Sequence, residues 1–164
     1  MHTDYDDISL TDNPILALSQ CFADCKLPHT LHSHHCVVLE VNGIWQQYDI
    51  AFTDREHRFD ITAPLPLDLA APQQNSVHDL IGRMNADVPL GHFQFDATQN
   101  CIEYRYSLPA SVLTSLDIET IEEIVEIAIT ALEILYPVAE TLRTGNTDLE
   151  TALDKYLYPA QGSA

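Results

Sequence analysis

Apolar residues along this chain recur first every three to four positions, then every second one, then every three to four again, and each change of period marks a new element. Leu18, Cys21, Phe22 and Cys25 fall at i, i+3, i+4 and i+7, the stripe of an amphipathic helix that Pro14 can open in its first turn. That spacing puts both cysteines against the core. From Leu31 the period becomes two, with Leu31, Val37, Leu39 and Val41 on one strand that ends at Asn42-Gly43, a strong hairpin signal. The return strand, IWQQYDIAF, sets Ile44, Tyr48, Ile50 and Phe52 on one face and Trp45, Gln47, Asp49 and Ala51 on the other. A polar turn, TDREH, then leads to a third strand with Phe59 and Ile61 inward.

The proline-punctuated APLPLDLAAP reads as an extended linker, because proline lacks a backbone donor and biases the preceding residue away from helix. Helix resumes at about Ser76, capped by Asn75 or Ser76, with Val77, Leu80, Ile81 and Met84 as its buried stripe. Gly91 opens a second hairpin in which Phe93 and Phe95 alternate on one strand and Ile102, Tyr104, Tyr106 and Leu108 on the other. Asp117 can cap a long final helix, with Leu116 and Ile121 as a hydrophobic staple; Pro137 should kink it or end its first half, and Gly145 stops it. A short closing helix is expected over 148–158. The order α-β-β-β-α-β-β-α predicts an α+β fold, an antiparallel β-sheet with helices packed on it. Residues 1–12 read as a loose acidic N-terminus, 13–158 as a single domain and 159–164 as a C-terminal tail.

Charge narrows the partners. With 25 acidic side chains against 7 basic ones the formal net charge is -18, which repels nucleic acid and anionic lipid alike and suits a partner that is basic or only transiently exposed. The start MHTDYDD is no secretory signal, and the apolar stretch 118–139 is interrupted by Glu119, Glu122, Glu123, Glu126 and Glu133, so no membrane span and a cytoplasmic location are expected. Cysteines 21, 25, 36 and 101 show no CxxC pair, so no disulfide is expected either.

HTLHSHHC, residues 29–36, gathers four of the eight histidines beside a cysteine. On one strand His32, His34 and Cys36 would share a face and could ligate a metal, with Cys21 and Cys25 near by. Against a metal, the two cysteines sit in a helix stripe rather than on turns, and no carboxylate lies between residues 25 and 39; the expectation is a strand face without metal. Nothing cradles a phosphate through GxGxxG or a P-loop, and no GxSxG elbow exists, so no catalytic residues and no cofactor are assigned. His78-Asp79 reads as a polar helix face, and Glu103 with Arg105 as an ion pair on one strand face.

Four segments carry a resemblance: VNGIWQQYDIAF, the run NADVPLGHFQF over 85–95, YRYSLP, and LYPVAETL. Together, over residues 13–143, the chain resembles the YbjN family, whose domain is similar to the chaperones of type III secretion. Members are described as sensory or stress regulators without established catalysis. The histidine-rich strand and the high acidity depart from that pattern. The resemblance implies a non-catalytic protein-binding module in which the open sheet face and the aromatics Trp45, Phe52 and Tyr106 hold an extended segment of a partner protein. A regulatory homodimer docking through its long helix is the alternative, and a metal-dependent enzyme using the histidine-rich strand the weakest reading. Ile118, Ile121, Ile124, Val125, Ala128, Leu132 and Leu135 fill one side of that helix, yet Ile127, Ile129 and Ile134 lie partly off it and point to a second contact. A two-fold homodimer through those three isoleucines is expected, since the resembled fold is commonly dimeric.

Overall fold

The computed structural model describes residues 13–157, apart from 116 and 146, so the acidic N-terminus, the C-terminal tail and the Leu116 half of the staple lie outside the described residues. Helix α1 (Pro14–Asp24) leads into four strands, β1 (His29–Ser33), β2 (Cys36–Asn42), β3 (Gln47–Arg55) and β4 (Arg58–Pro66). After them come α2 (Ala71–Asp87), the hairpin β5 (His92–Asp96) and β6 (Cys101–Pro109), a 3-10 turn (Ala110–Ser115), α3 (Ile118–Arg143) and α4 (Leu149–Tyr156). This is the expected α+β fold, with the first strand realised as a hairpin. The six strands form one antiparallel sheet in the order β1-β2-β3-β4-β6-β5.

Side-chain alternation separates the two sheet faces. Val37, Leu39, Tyr48, Ile50, Phe52, Phe59, Ile61, Leu65, Phe93, Ile102 and Tyr104 point to one side and are buried in a single core beneath the helices. Helix α1 lies over β1 to β3, α3 over β4 and α2 over β5, and α4 packs on α3. The register sets Val38, Ala51, Thr62 and Arg105 on the opposite face, which no described element covers.

Asn13 caps α1 by accepting the Leu16 amide at 2.9 Å, and the buried stripe is Ile15, Leu18, Cys21 and Phe22. Cys25 does not join it: it is the C-cap and exposed, because the helix ends there and Lys26 takes a φ of 57° to turn the chain. Ile44, expected inward, is 87% exposed, since β3 starts only at Gln47 and residues 43–46 form the hairpin turn.

The proline-rich linker is strand in its first half. Residues 63–66 continue β4 against β6, while pairing with β3 stops at Thr62, so Pro64 and Pro66 lie where their missing N–H is not required on the β3 side. Leu65, Leu67 and Leu69 carry the buried alternation onward. Helix α2 therefore starts at Ala71, not at Ser76, and neither Asn75 nor Ser76 caps it; the Gln73 side chain accepts the Ala70 amide at 2.8 Å and donates to the Arg143 carbonyl at 2.7 Å.

Pro137 does not end α3, which runs unbroken from 118 to 143 with Asp117 as its N-cap. A proline there leaves the Glu133 carbonyl, four residues earlier, without its helical donor. The indole N–H of Trp45 supplies one at 3.2 Å, the ring stacks on Tyr136 at 6.2 Å, and the Glu133 carboxylate accepts the Ile44 amide at 3.0 Å. The β2–β3 turn is thus bolted onto the helix. Trp45→Phe should cost about 1 kcal/mol through the orphaned carbonyl, and less in a Pro137→Ala background, where a helical N–H returns to Glu133. Additive urea-melt losses across that double-mutant cycle would refute the coupling.

Candidate functional site

The residues expected to bind a partner do not share a surface. Phe52 is fully buried between Phe22 and Phe59, with ring centroids 5.5 and 6.3 Å away. Tyr106 lies on the helix-covered side of β6, packed against the core, and Trp45 is held by α3. The open sheet face carries none of the three. Parity explains it: Phe52 alternates with Tyr48 and Ile50, and Tyr106 with Ile102 and Tyr104, so both must face the helices.

The histidines are likewise divided. The chain turns at His34 and His35, pairing Ser33 with Cys36, so His32, His34 and Cys36 do not share a strand face. The turn carries no Gly, Pro or Asn, so no local signal in the sequence marks it. His29 is a tie between α1 and β1: its Nδ1 lies 2.9 Å from the Leu27 carbonyl, its Nε2 3.2 Å from Ser19 Oγ, and its ring meets Phe22 edge-on. Among the described residues, no three His, Cys, Asp or Glu side chains gather as a metal ion would require. His78 stands exposed with its ring edge-on to Phe95.

Two grooves flank the first half of α3. The first, about 320 Å³, lies between α1, β2 and α3 and is walled by Phe22, Leu39, Val41, Ile121, Val125 and Ile129, with Cys21 and Cys25 at its α1 side. Burial, then the neighbouring Cys25 and nearby carboxylates, pushes the Cys21 thiol up to about 11, so it stays protonated. The second, about 400 Å³, lies between α2 and α3 and is walled by Met84, Val88, Pro89, Ile127, Ala131, Ile134 and Leu157. Glu126 and Thr130, one helical turn apart, line both and form the ridge between them. Among the described residues, the only charged groups on either wall are Glu122 and Glu126 in the first and Asp87 and Glu126 in the second.

The three isoleucines expected at one interface therefore divide. Ile127 and Ile134, seven residues apart, face the second groove, and Ile129, half a turn round, faces the first. The other apolar breadth of α3 is used inside the molecule: Ala131, Leu132, Leu135, Val138 and Leu142 are buried, and α2 and α4 pack on it. The turn at residues 43–46 adds to this, and burial followed by the Glu133 carboxylate raises the Tyr48 phenol above its usual range.

A polar cluster to which the sequence analysis assigned no role lies on the open sheet face. Asp60 is 1% exposed, yet its register places it away from the helices. Its Oδ2 accepts Nε of both Arg55 and Arg58, each at 2.9 Å, and its Oδ1 accepts Ser107 Oγ at 2.7 Å. Burial alone would raise this carboxyl, but the Ser107 and arginine bonds outweigh it and hold it below the usual carboxylate range. Further along the same face, Glu103 Oε2 accepts Arg105 Nη2 at 3.1 Å and Gln94 Nε2 at 2.6 Å.

No helix among the described residues is long and apolar enough to cross a membrane. Comparisons with protein-family models, curated proteins and solved structures gave no match to this chain.

Proposed function

We propose that this protein is a non-catalytic docking module, whose α3 ridge and flanking grooves take an amphipathic segment of a partner polypeptide with apolar side chains bordered by Lys or Arg. One observation carries the reading: two apolar grooves share a single helix ridge, and among the described residues every charged group on their walls is a carboxylate. Apolar anchors supply affinity in such a surface, and the rim selects the sign of the partner's charge. The likeness of four sequence segments to the YbjN family supports a protein-binding role. The four cysteines are free thiols, which suits a cytoplasmic setting.

The test is a labelled synthetic helix with a leucine face and lysine flanks, titrated into the full chain and followed by fluorescence anisotropy. Ile129→Asp and Ile127→Asp should each weaken binding by about tenfold or more, about 1.4 kcal/mol, and the same helix with glutamate flanks should not bind. Equal binding of both helices, or indifference to both substitutions, would refute the reading. Sedimentation velocity addresses a second copy as occupant. Facing ridges would oppose carboxylate to carboxylate, so monomer is expected; a dimer dissolved by Ile127→Asp or Ile129→Asp would replace the basic partner with the chain itself.

A further inference from the structure

We propose that Arg55 and Arg58 form an oxyanion clamp on the open sheet face, shaped for a phosphate group carrying two negative charges. Each arginine gives its Nε to the same oxygen of Asp60, so the two guanidinium groups lie within two hydrogen-bond lengths of each other. One carboxylate faces two cations here, and its other oxygen is already taken by Ser107. A single arginine would neutralise Asp60; the second is in excess. Neither Arg55 nor Arg58 has an acceptor for its Nη groups among the described residues, and the two side chains remain 55% and 50% exposed while the aspartate between them is sealed. The clamp is therefore anchored from beneath and open above.

Its mounting is rigid. Arg55 and Arg58 are the last paired residues of the β3–β4 hairpin, and the hairpin tip is fastened by the Ala110 amide donating to the His57 carbonyl at 3.1 Å. Nearby charges do not fill the site. Glu56 and His57 point to solvent at the tip with a 4.0 Å contact to each other, Asp54 lies on the other face of β3, and Arg105 is occupied by Glu103. The anionic charge of the whole chain acts from further away, and salt screens it beyond about 8 Å at physiological ionic strength.

Phosphate fits better than a carboxylate. Two guanidinium forks present more donors than one carboxylate can accept, whereas a tetrahedral phosphate offers three oxygens and the second charge that answers the pair. The phosphate can be free or borne by a polypeptide, and the titration below separates the two.

The experiment is a titration of the intact chain by NMR, following the Arg Nε–Hε signals as inorganic phosphate replaces sodium chloride at constant ionic strength. Saturable shifts are expected at Arg55 and Arg58 and none at Arg83 or Arg143, which are paired with Glu150 and Glu140. Acetate should bind at least tenfold more weakly. A phosphoserine peptide that saturates at lower concentration than inorganic phosphate identifies a polypeptide source, and equal saturation a free one. Shifts that stay linear, match those in chloride, or appear equally at Arg83 and Arg143 overturn the clamp, as does acetate binding as well as phosphate. Arg58→Gln, checked for an intact fold by its amide spectrum, should abolish saturation at Arg55; the wild-type titration decides the question even if that variant does not fold.

Discussion

Asp60→Ala is expected to lower the unfolding free energy by about 3 kcal/mol at neutral pH, the lower end for breaking a buried ion pair. The lower end applies because Arg55 and Arg58 are half-exposed and can rehydrate, whereas the aspartate is sealed. Asp60→Asn should cost less, since an amide oxygen still accepts one bond, and it isolates the charge. The carboxyl is held below the unfolded value of about 3.9. The unfolded chain therefore takes up this proton first as pH falls, so the Asp60 contribution is complete above about pH 4 and fades through the lower native value. Urea melts of wild type and Asp60→Asn should differ most at pH 6 to 7 and converge toward pH 3. A gap that persists unchanged at pH 3 would show that packing, not charge, is what the substitution removes.

This cluster also shows where the sequence stops being legible. Period-two alternation identified β3, β4, β5 and β6 and the buried status of Tyr48, Ile50, Phe59, Ile61 and Tyr104, because each side chain's face follows from its neighbour's. The same alternation places Phe52 and Tyr106 inward, which is incompatible with a role for either on an open partner surface. Asp60 stands between two inward residues, which fixes its face, yet its burial depends on Arg58 two residues away on β4, on Arg55 from β3 and on Ser107 from β6. Long-range register of that kind has no local signature. The same holds for Trp45: the consequence of Pro137 for the Glu133 carbonyl is local and readable, but the donor arrives from 88 residues away. Turns without Gly, Pro or Asn were missed for a different reason, as His34-His35 and Lys26 take their geometry from the strands and helix they join. The groove pair beside α3 was visible in part, as an excess of isoleucine over one stripe. What sequence could not show is that α1 and α2 stand on either side of the ridge and divide those isoleucines between them.

Gly91→Ala should cost about 3 kcal/mol, combining backbone strain with over-packing. Gly91 has a φ of 74°, where a side chain costs about 1–2 kcal/mol, and a Cβ there would stand 2.6 Å from Tyr104 Oη and 2.8 Å from the Arg105 carbonyl, adding about 1–3 kcal/mol of over-packing. The ring cannot retreat, because Tyr104 is fully buried and its hydroxyl donates to the Leu90 carbonyl at 2.8 Å; burial, then Tyr106, pushes this phenol up to about 12. Nor can β5 slide, since the Asn85 side chain takes the Phe93 amide at 2.6 Å and donates to its carbonyl at 2.9 Å. The strain falls on residues 88–90, which include Val88 and Pro89, the wall of the second groove. Gly82→Ala is the control: nothing lies within 4 Å of its Cβ, and in mid-helix it should stabilise by about 0.5–1 kcal/mol. If the second groove takes the basic helix, then Gly91→Ala should weaken its binding and shrink the further loss from Ile127→Asp, while the loss from Ile129→Asp in the first groove stays as in wild type. Equal attenuation of both losses would mean that the two grooves do not act separately, and a Gly91→Ala protein as stable as wild type would mean that the Tyr104 bond yields where the packing says it must hold.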